Sequence, residues 1–369
     1  MNLVKYAGIS LIAMSASMGH AGGMEATALS AGFMFENGNY GSVSVQSQSP
    51  SVKATVGGTA ATSGSIIGSV TSTNLHVKAD ILDNLSVGIA YYRQAGIKLN
   101  YQDNWTFGGA AAGLPKVDLD VNAIVGLVKY GVNENFSILA GIKNGTAKDA
   151  TILIPNVAVP ASSVSAAVTG GSAMSYVAGV AYEIPEIALR AELMYETKGE
   201  YVLETLFSGV LAKQTKASTP VYINAYVQSG IAEDTLAFAS VRQADWAANQ
   251  VAINPSGTYA NISSFSDSTS YRVGLGRKFG DTWSSSISYN WEGGSSANTG
   301  SPLTVSNGNQ GLSIGAKYAL NDNTAITFGG NYTELKTVNG TWGAAGFGNN
   351  VVFSGNSVTT LGANISHSF

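Results

Sequence analysis

The feature that most constrains this chain is an alternation of apolar and polar residues with period two, running from near residue 40 to the C-terminal end. Leu75, Val77, Ala79 and Ile81 alternate with Asn74, His76, Lys78 and Asp80. Val117, Leu119, Val121 and Ala123 alternate with Asp118, Asp120 and Asn122. Ile187, Leu189, Ala191, Leu193 and Tyr195 alternate with Ala188, Arg190, Glu192 and Glu196, and Leu312, Ile314, Ala316 and Tyr318 with Ser313, Gly315 and Lys317. Successive side chains of a strand point to opposite faces, so each run predicts a strand with one apolar face and one face that accepts charge. Soluble sandwiches share that pattern, and alternation alone does not separate them from membrane barrels.

Turn spacing does. Short polar turns fall at Asp83-Asn84, Asn133-Glu134-Asn135, Pro185-Glu186, Glu233-Asp234, Gly280-Asp281 and Asn321-Asp322-Asn323, roughly 40 to 50 residues apart. Between them lie longer stretches rich in Gly, Ser, Ala and Thr, such as 49–70, 146–171 and 247–269. Short turns at one end and long loops at the other are the asymmetry of an outer-membrane barrel. Six turns join twelve strands, and one strand near Tyr40 to Gln48 plus one at the C-terminus make fourteen. The predicted fold is an all-β transmembrane antiparallel β-barrel of about 14 strands, with short periplasmic turns, long extracellular loops and a short N-terminal plug segment. Both termini are then periplasmic.

Composition agrees. Charged residues make up 11% of the 369, against about 25% in an ordinary soluble domain. With no cysteine, disulfides and Cys-based metal sites are excluded. The net charge of −4, without a Lys/Arg stripe, argues against nucleic acid as a partner. Lys5, the apolar stretch Tyr6 to Met18 and Gly19-His20-Ala21 predict a signal peptide over 1–21, cleaved after Ala21. That stretch is too short for a spanning helix, which takes about 20 apolar residues. Residues 22–38 then precede a barrel over 39–369. At the far end Leu361, Ala363, Ile365 and His367 lead by alternation to Phe369, the terminal pattern that outer-membrane assembly machinery reads. Aromatic residues near strand ends, among them Tyr130, Tyr182, Phe279, Trp283 and Tyr289, suit interfacial girdles.

One segment goes beyond generic barrel features. Thr219-Pro220-Val221-Tyr222 runs through Gly230-Ile231 to Ser240-Val241-Arg242 and Asp245-Trp246, and it closely resembles a hairpin of the FadL-type outer-membrane transporters. The stretches 271–283 and 309–332 are similar to that family too. The resemblance implies fourteen strands, a monomer, no cofactor, and passive passage of hydrophobic molecules, long-chain fatty acids first among them, between the outside and membrane lipids. The family's common plug of some forty residues is absent, because only 22–38 is available before the first strand.

Candidate functional residues fall into three groups. Ile152, Leu153, Ile154 and Val157 form an apolar run in the third external loop. In the fourth, Leu203, Leu206, Phe207, Val210 and Leu211 stand at i, i+3, i+4, i+7, i+8 spacing, one apolar face of a helix. By resemblance these two loops build an external groove that captures substrate; packing on each other to close the barrel mouth is the equal alternative. Arg190, Glu192, Arg242, Arg272 and Lys317 fall on polar faces and read as lumen charge, as an ion-pair network before a carboxylate site. For Arg242 the facing stays open, since Leu236 and Phe238 share its parity. Gln94-Ala95-Gly96 interrupts a strand where the family's third strand kinks to open a lateral exit; an ordinary bend is the simpler reading.

Enzymatic readings find little support. The only histidines are His20, His76 and His367, and His76 has no partner motif in sequence. Asp118/Asp120 and Glu192/Glu196 read as lumen charge rather than as an acid–base pair, and Gly274-Leu275-Gly276 lacks the third glycine of a phosphate loop. No metal site and no enzyme are expected. The rivals are a general diffusion porin and a non-transporting surface barrel.

Overall fold

The computed structural model describes residues 23–56, 63–101, 116–154, 164–207, 211–254, 257–294, 303–340 and 351–369. The expected signal peptide lies outside them. Fourteen long strands form the wall: β1 Tyr40–Ser51, β2 Val70–Leu82, β3 Leu85–Asn100, β4 Lys116–Gly131, β5 Phe136–Ala147, β6 Gly171–Ile184, β7 Leu189–Glu196, β8 Tyr222–Ala232, β9 Thr235–Ala244, β10 Ser268–Phe279, β11 Trp283–Glu292, β12 Asn309–Ala319, β13 Thr324–Leu335 and β14 Asn356–Ser368. Each pairs antiparallel with its neighbours in chain order. The sheet closes where β1 pairs with β14, from Tyr40 opposite Ser368 to Ser51 opposite Ser357. All six predicted short turns join strand pairs at one end of the ring. Left-handed Ala188 and Asp234 help make two of them.

The outer surface shows what solvent the wall faces. Val43, Val77, Ile89, Ile142, Met174, Leu193, Val227, Leu275, Ile287, Ile314, Phe328 and Leu361 all point outward and are exposed. A continuous apolar belt of this kind does not survive in water, where exposed patches rarely exceed a few hundred Å². It fits a lipid environment, and a closed ring leaves no unpaired edge within it.

The outer halves of β3 and β4 depart from the expected facing. The apolar set Val117, Leu119, Val121 and Ala123 points inward and is buried, while Lys116 and Asp118 face out. From Ile124 toward the turn, apolar residues face outward again. A bilayer-crossing strand needs about 9 to 11 residues, and β4 has 16. Its surplus stands above the membrane, where polarity inverts to that of a soluble barrel.

That extension continues as a collar. Ala150–Ile154 pairs with the start of β4 and with Val164–Val168. The latter pairs with Gly199–Phe207, which pairs with Leu211–Thr219, itself bound to Ala252–Ile253. The helix expected from the spacing of Leu203, Leu206, Phe207, Val210 and Leu211 is therefore absent: Gly199–Phe207 and Leu211–Thr219 are two arms of a β-hairpin. Apolar residues four and eight apart keep strand parity, so Leu203 and Phe207 share one face under either reading. Among the described residues Leu206 betrays the difference, pointing the opposite way at 39% exposure.

The N-terminal stretch from Gly23 lies inside the ring. Gly32–Phe35 forms a short 3-10 turn that drives Phe33 and Met34 into a buried cluster with Leu29, Ala90, Tyr92, Val125, Leu127, Leu139, Val177 and Met194. Burying two such side chains contributes about 1.5–3 kcal/mol each. Gly88 makes room for them, since a Cβ there would overlap Phe33 and Met34.

Candidate functional site

β3 carries the main irregularity of the wall. Arg93 pairs with Asn122 and Ala95 with Val121, so Gln94 is an extra residue, a β-bulge. The Gln94-Ala95-Gly96 segment is thus more than the ordinary bend favoured by its sequence. Pairing between β2 and β3 ends at Leu75–Tyr91. Beyond it, residues 70–74 of β2 pair only with β1 among the described residues. The freed edge of β3 is taken by the N-terminal segment instead: Ala26 N–H donates to the Gln94 carbonyl and Gly96 N–H to the Met24 carbonyl, both at 2.9 Å. Higher up, Gly68 N–H donates to the Lys98 carbonyl and Asn100 N–H to that of Ile66. The result is a gap in the wall ladder, lined on the inside by residues 24–26.

Above this gap the mouth is apolar. Ile152, Leu203 and Phe207 are buried there with Leu99, Tyr101, Val121, Tyr201, Phe265 and Phe353. Burial pushes the Tyr201 phenol up to about 12, a mark of how little water reaches this region. Trp246 is fully buried, edge-on to Tyr222 and to Phe265 at 6.4 and 5.6 Å between ring centroids. Leu153, Ile154 and Leu211 belong to collar strands by their backbone, whereas Val157 and Val210 lie outside the described residues. The two loops expected to form a groove do meet, through inward faces that pack the mouth.

Below the mouth sits a charged cluster. The Arg242 guanidinium lies 2.5 Å from one carboxylate oxygen of Glu25 and 3.2 Å from Glu196, and Lys143 Nζ is 2.7 Å from the other Glu196 oxygen. The Tyr222 ring covers Arg242 at 4.1 Å. Arg242 therefore points inward, and Leu236 and Phe238 share its face because the lumen here is itself partly apolar. Sequence reasoning missed Glu25 and Lys143. Lys143 carried a signal, the one charge on a face it shares with Ser137, Leu139, Gly141, Gly145 and Ala147, but Glu25 had no periodic context.

The remaining predicted charges lie lower. Arg190 Nε is 2.7 Å from Glu192 Oε1, and its guanidinium stacks on Phe35 and Tyr226. Arg272 donates to Ser288 Oγ and lies over Phe238. Lys317 is on the inner face of β12. His76, without a partner motif in sequence, lies 3.3 Å from Ser42 Oγ and packs on Phe33; among the described residues it makes no other hydrogen bond.

Known structures share this architecture. A FadL homologue from Pseudomonas aeruginosa superposes over 92% of both chains with a TM-score of 0.74 at 14% identity. The fold is that of the FadL-type barrels. Within it stand the toluene transporters TodX of Pseudomonas putida, at TM-score 0.64, 13% identity and 90% of both chains, and TbuX of Ralstonia pickettii. TbuX matches at TM-score 0.63 and 12% identity over 94% of this chain and 96% of its own. No protein-family model and no curated protein matches the sequence.

Proposed function

We propose that the protein is an outer-membrane channel through which hydrophobic molecules pass passively, as a monomer and without a cofactor. The observation that carries this reading is the gap in the β2–β3 ladder beside an apolar, tightly packed mouth. An apolar solute gains nothing from a watery pore, whereas entry into lipid through the wall returns about 0.8 kcal/mol per CH₂ buried. The FadL-type fold supports the same class, since solved barrels of this shape include toluene transporters. Long-chain fatty acids are the substrate the sequence resemblance favours, with Ile152, Leu203 and Phe207 in the capturing surface.

The test uses one preparation for two readings. A fluorescent long-chain fatty acid is titrated onto purified protein, and conductance is then recorded after reconstitution. Saturable binding, weakened by Leu203→Ser or Phe207→Ser, with little steady conductance, is the expected outcome. Ohmic conductance without saturable binding would overturn the proposal in favour of a general diffusion porin.

A further inference from the structure

The outer face of β4–β6 changes character within one row of residues. Ile124, Ile142, Met174 and Tyr176 face out and are exposed, as side chains against lipid are. Directly above them in register stand Asn122, Thr146 and Ser172, with Arg93 of β3 opposite Asn122. The next row holds Asp120, whose carboxylate lies 2.5 Å from Arg93 Nε and 2.6 Å from Lys148 Nζ. One carboxylate cannot neutralise two cations. The Arg93 guanidinium is buried and lies against Gly96, so the uncompensated charge falls to Lys148, whose side chain is 63% exposed. Lys98 and Lys116 raise this rim to four cations against three carboxylates, Asp118, Asp120 and Asp149. Asp149 is engaged elsewhere, accepting from the Gly170 N–H at 2.7 Å. Beside Lys148 opens a recess of about 750 Å³, lined by Asn144, Thr146 and Ser172 and by the bare backbone of Gly170 and Gly171. Across the barrel, the register row Tyr271, Trp291, Gln310 and Glu334 of β10–β13 carries no cation.

We propose that this rim docks one phosphorylated glycolipid of the outer leaflet against the outside of the wall. Three chemistries stand in the order such a lipid needs. Lys148 donates to its phosphate in a charge-assisted hydrogen bond. Asn144, Thr146 and Ser172 meet its sugar hydroxyls in the recess. Its acyl chains run down over Ile124, Ile142, Met174 and Tyr176. The level is right as well, because long loops mark the external end, and the step from apolar to polar rows marks the boundary of the hydrocarbon. Basic side chains at a membrane surface attract anionic lipids, and an aromatic ring such as Tyr176 suits that boundary. A free anion would use the cation alone, and a neutral lipid would leave it idle. The inference rests on the barrel's place in an outer membrane and not on what the channel carries, so a failed fatty-acid titration leaves it untouched.

The experiment titrates lipid A, an acylated glucosamine disaccharide bearing two phosphates, onto purified full-length protein in a neutral detergent. Bound lipid is counted by native mass spectrometry. The unmodified protein takes up one lipid A saturably and binds its dephosphorylated form at least tenfold more weakly, a comparison that needs no variant. Lys148→Glu lowers lipid A affinity at least tenfold, whereas Lys148→Arg stays within threefold. Lys198→Glu is the control, because Lys198 is also exposed but paired with Glu200 alone, and it changes affinity less than twofold. Heat-modifiable gel migration verifies that each variant is folded. Equal affinity for the two lipids, no loss in Lys148→Glu, or an equal loss in Lys198→Glu overturns the proposal. So does displacement of lipid A by millimolar inorganic phosphate, which would reduce the rim to a simple anion site.

Discussion

Deleting Gln94 should close the ladder gap without disturbing the rest of the barrel. Arg93 and Ala95 already pair with consecutive residues of β4, Asn122 and Val121, so removing the residue between them leaves an unbroken ladder and keeps both halves of β3 on their present faces. Straightened, β3 comes into line with residues 70–74 of β2, which are five residues without a partner on that edge among the described residues. Five new backbone hydrogen bonds, each worth about 1 kcal/mol net, stabilise the closed wall by about 5 kcal/mol. The two bonds from the N-terminal segment are lost, which offsets about 2 kcal/mol. A net gain of about 3 kcal/mol shifts the closing equilibrium by a factor of roughly 100. Uptake of a fluorescent fatty acid into lipid vesicles holding the folded deletion variant should therefore fall at least tenfold, with binding at the mouth retained. Uptake at the unmodified rate would refute the reasoning and place the exit along the barrel axis.

Other substitutions test other parts of the structure. Gly88→Val overlaps Phe33 and Met34, so it should expel the interior segment and raise steady ion conductance in planar bilayers above that of the unmodified barrel. Leu203→Asp buries a charge in the mouth and should cost about 3 kcal/mol or more, whereas Leu206→Asp on the opposite face should stay within about 1 kcal/mol, both read from urea midpoints. Trp246→Ala empties the space between Tyr222 and Phe265, costs about 3–5 kcal/mol locally, and should sensitise the external loops to protease while the barrel stays folded. Phe369→Ser should lower the amount assembled in cells and leave the stability of refolded protein nearly unchanged, because the Phe369 ring is largely exposed.

What was legible in the sequence was local. Turns such as Asp83-Asn84 and Glu233-Asp234 announce themselves by residue type, and strands by alternation, so the ring of fourteen could be counted. Alternation does not say which face meets which solvent. The inward Val117–Ala123 face and the outward Ile124–Val128 face lie on one strand, and only its height in the bilayer separates them. Leu203, Phe207 and Leu211 satisfy helical and strand spacing equally, and pairing across the hairpin settled the matter. The partnership of Glu25 with Arg242 spans 217 residues and leaves no periodic trace. Gln94 carried a hint in the neighbouring Gly96, but a register shift is a property of two strands and cannot be read from one.

Ring closure also shapes how the chain reaches its native state. Every pairing from β1 through β14 joins neighbours in sequence order except the seam between Tyr40–Ser51 and Asn356–Ser368. Closing that seam means bringing together segments at opposite ends of the chain, a step whose entropic cost grows with the logarithm of the intervening length. Contacts of such high order form slowly. Until they form, β1 and β14 each present an open edge able to template pairing with any strand nearby. A chain that stops short of Asn356 keeps those edges for good, and its default fate is association with other chains rather than a smaller barrel.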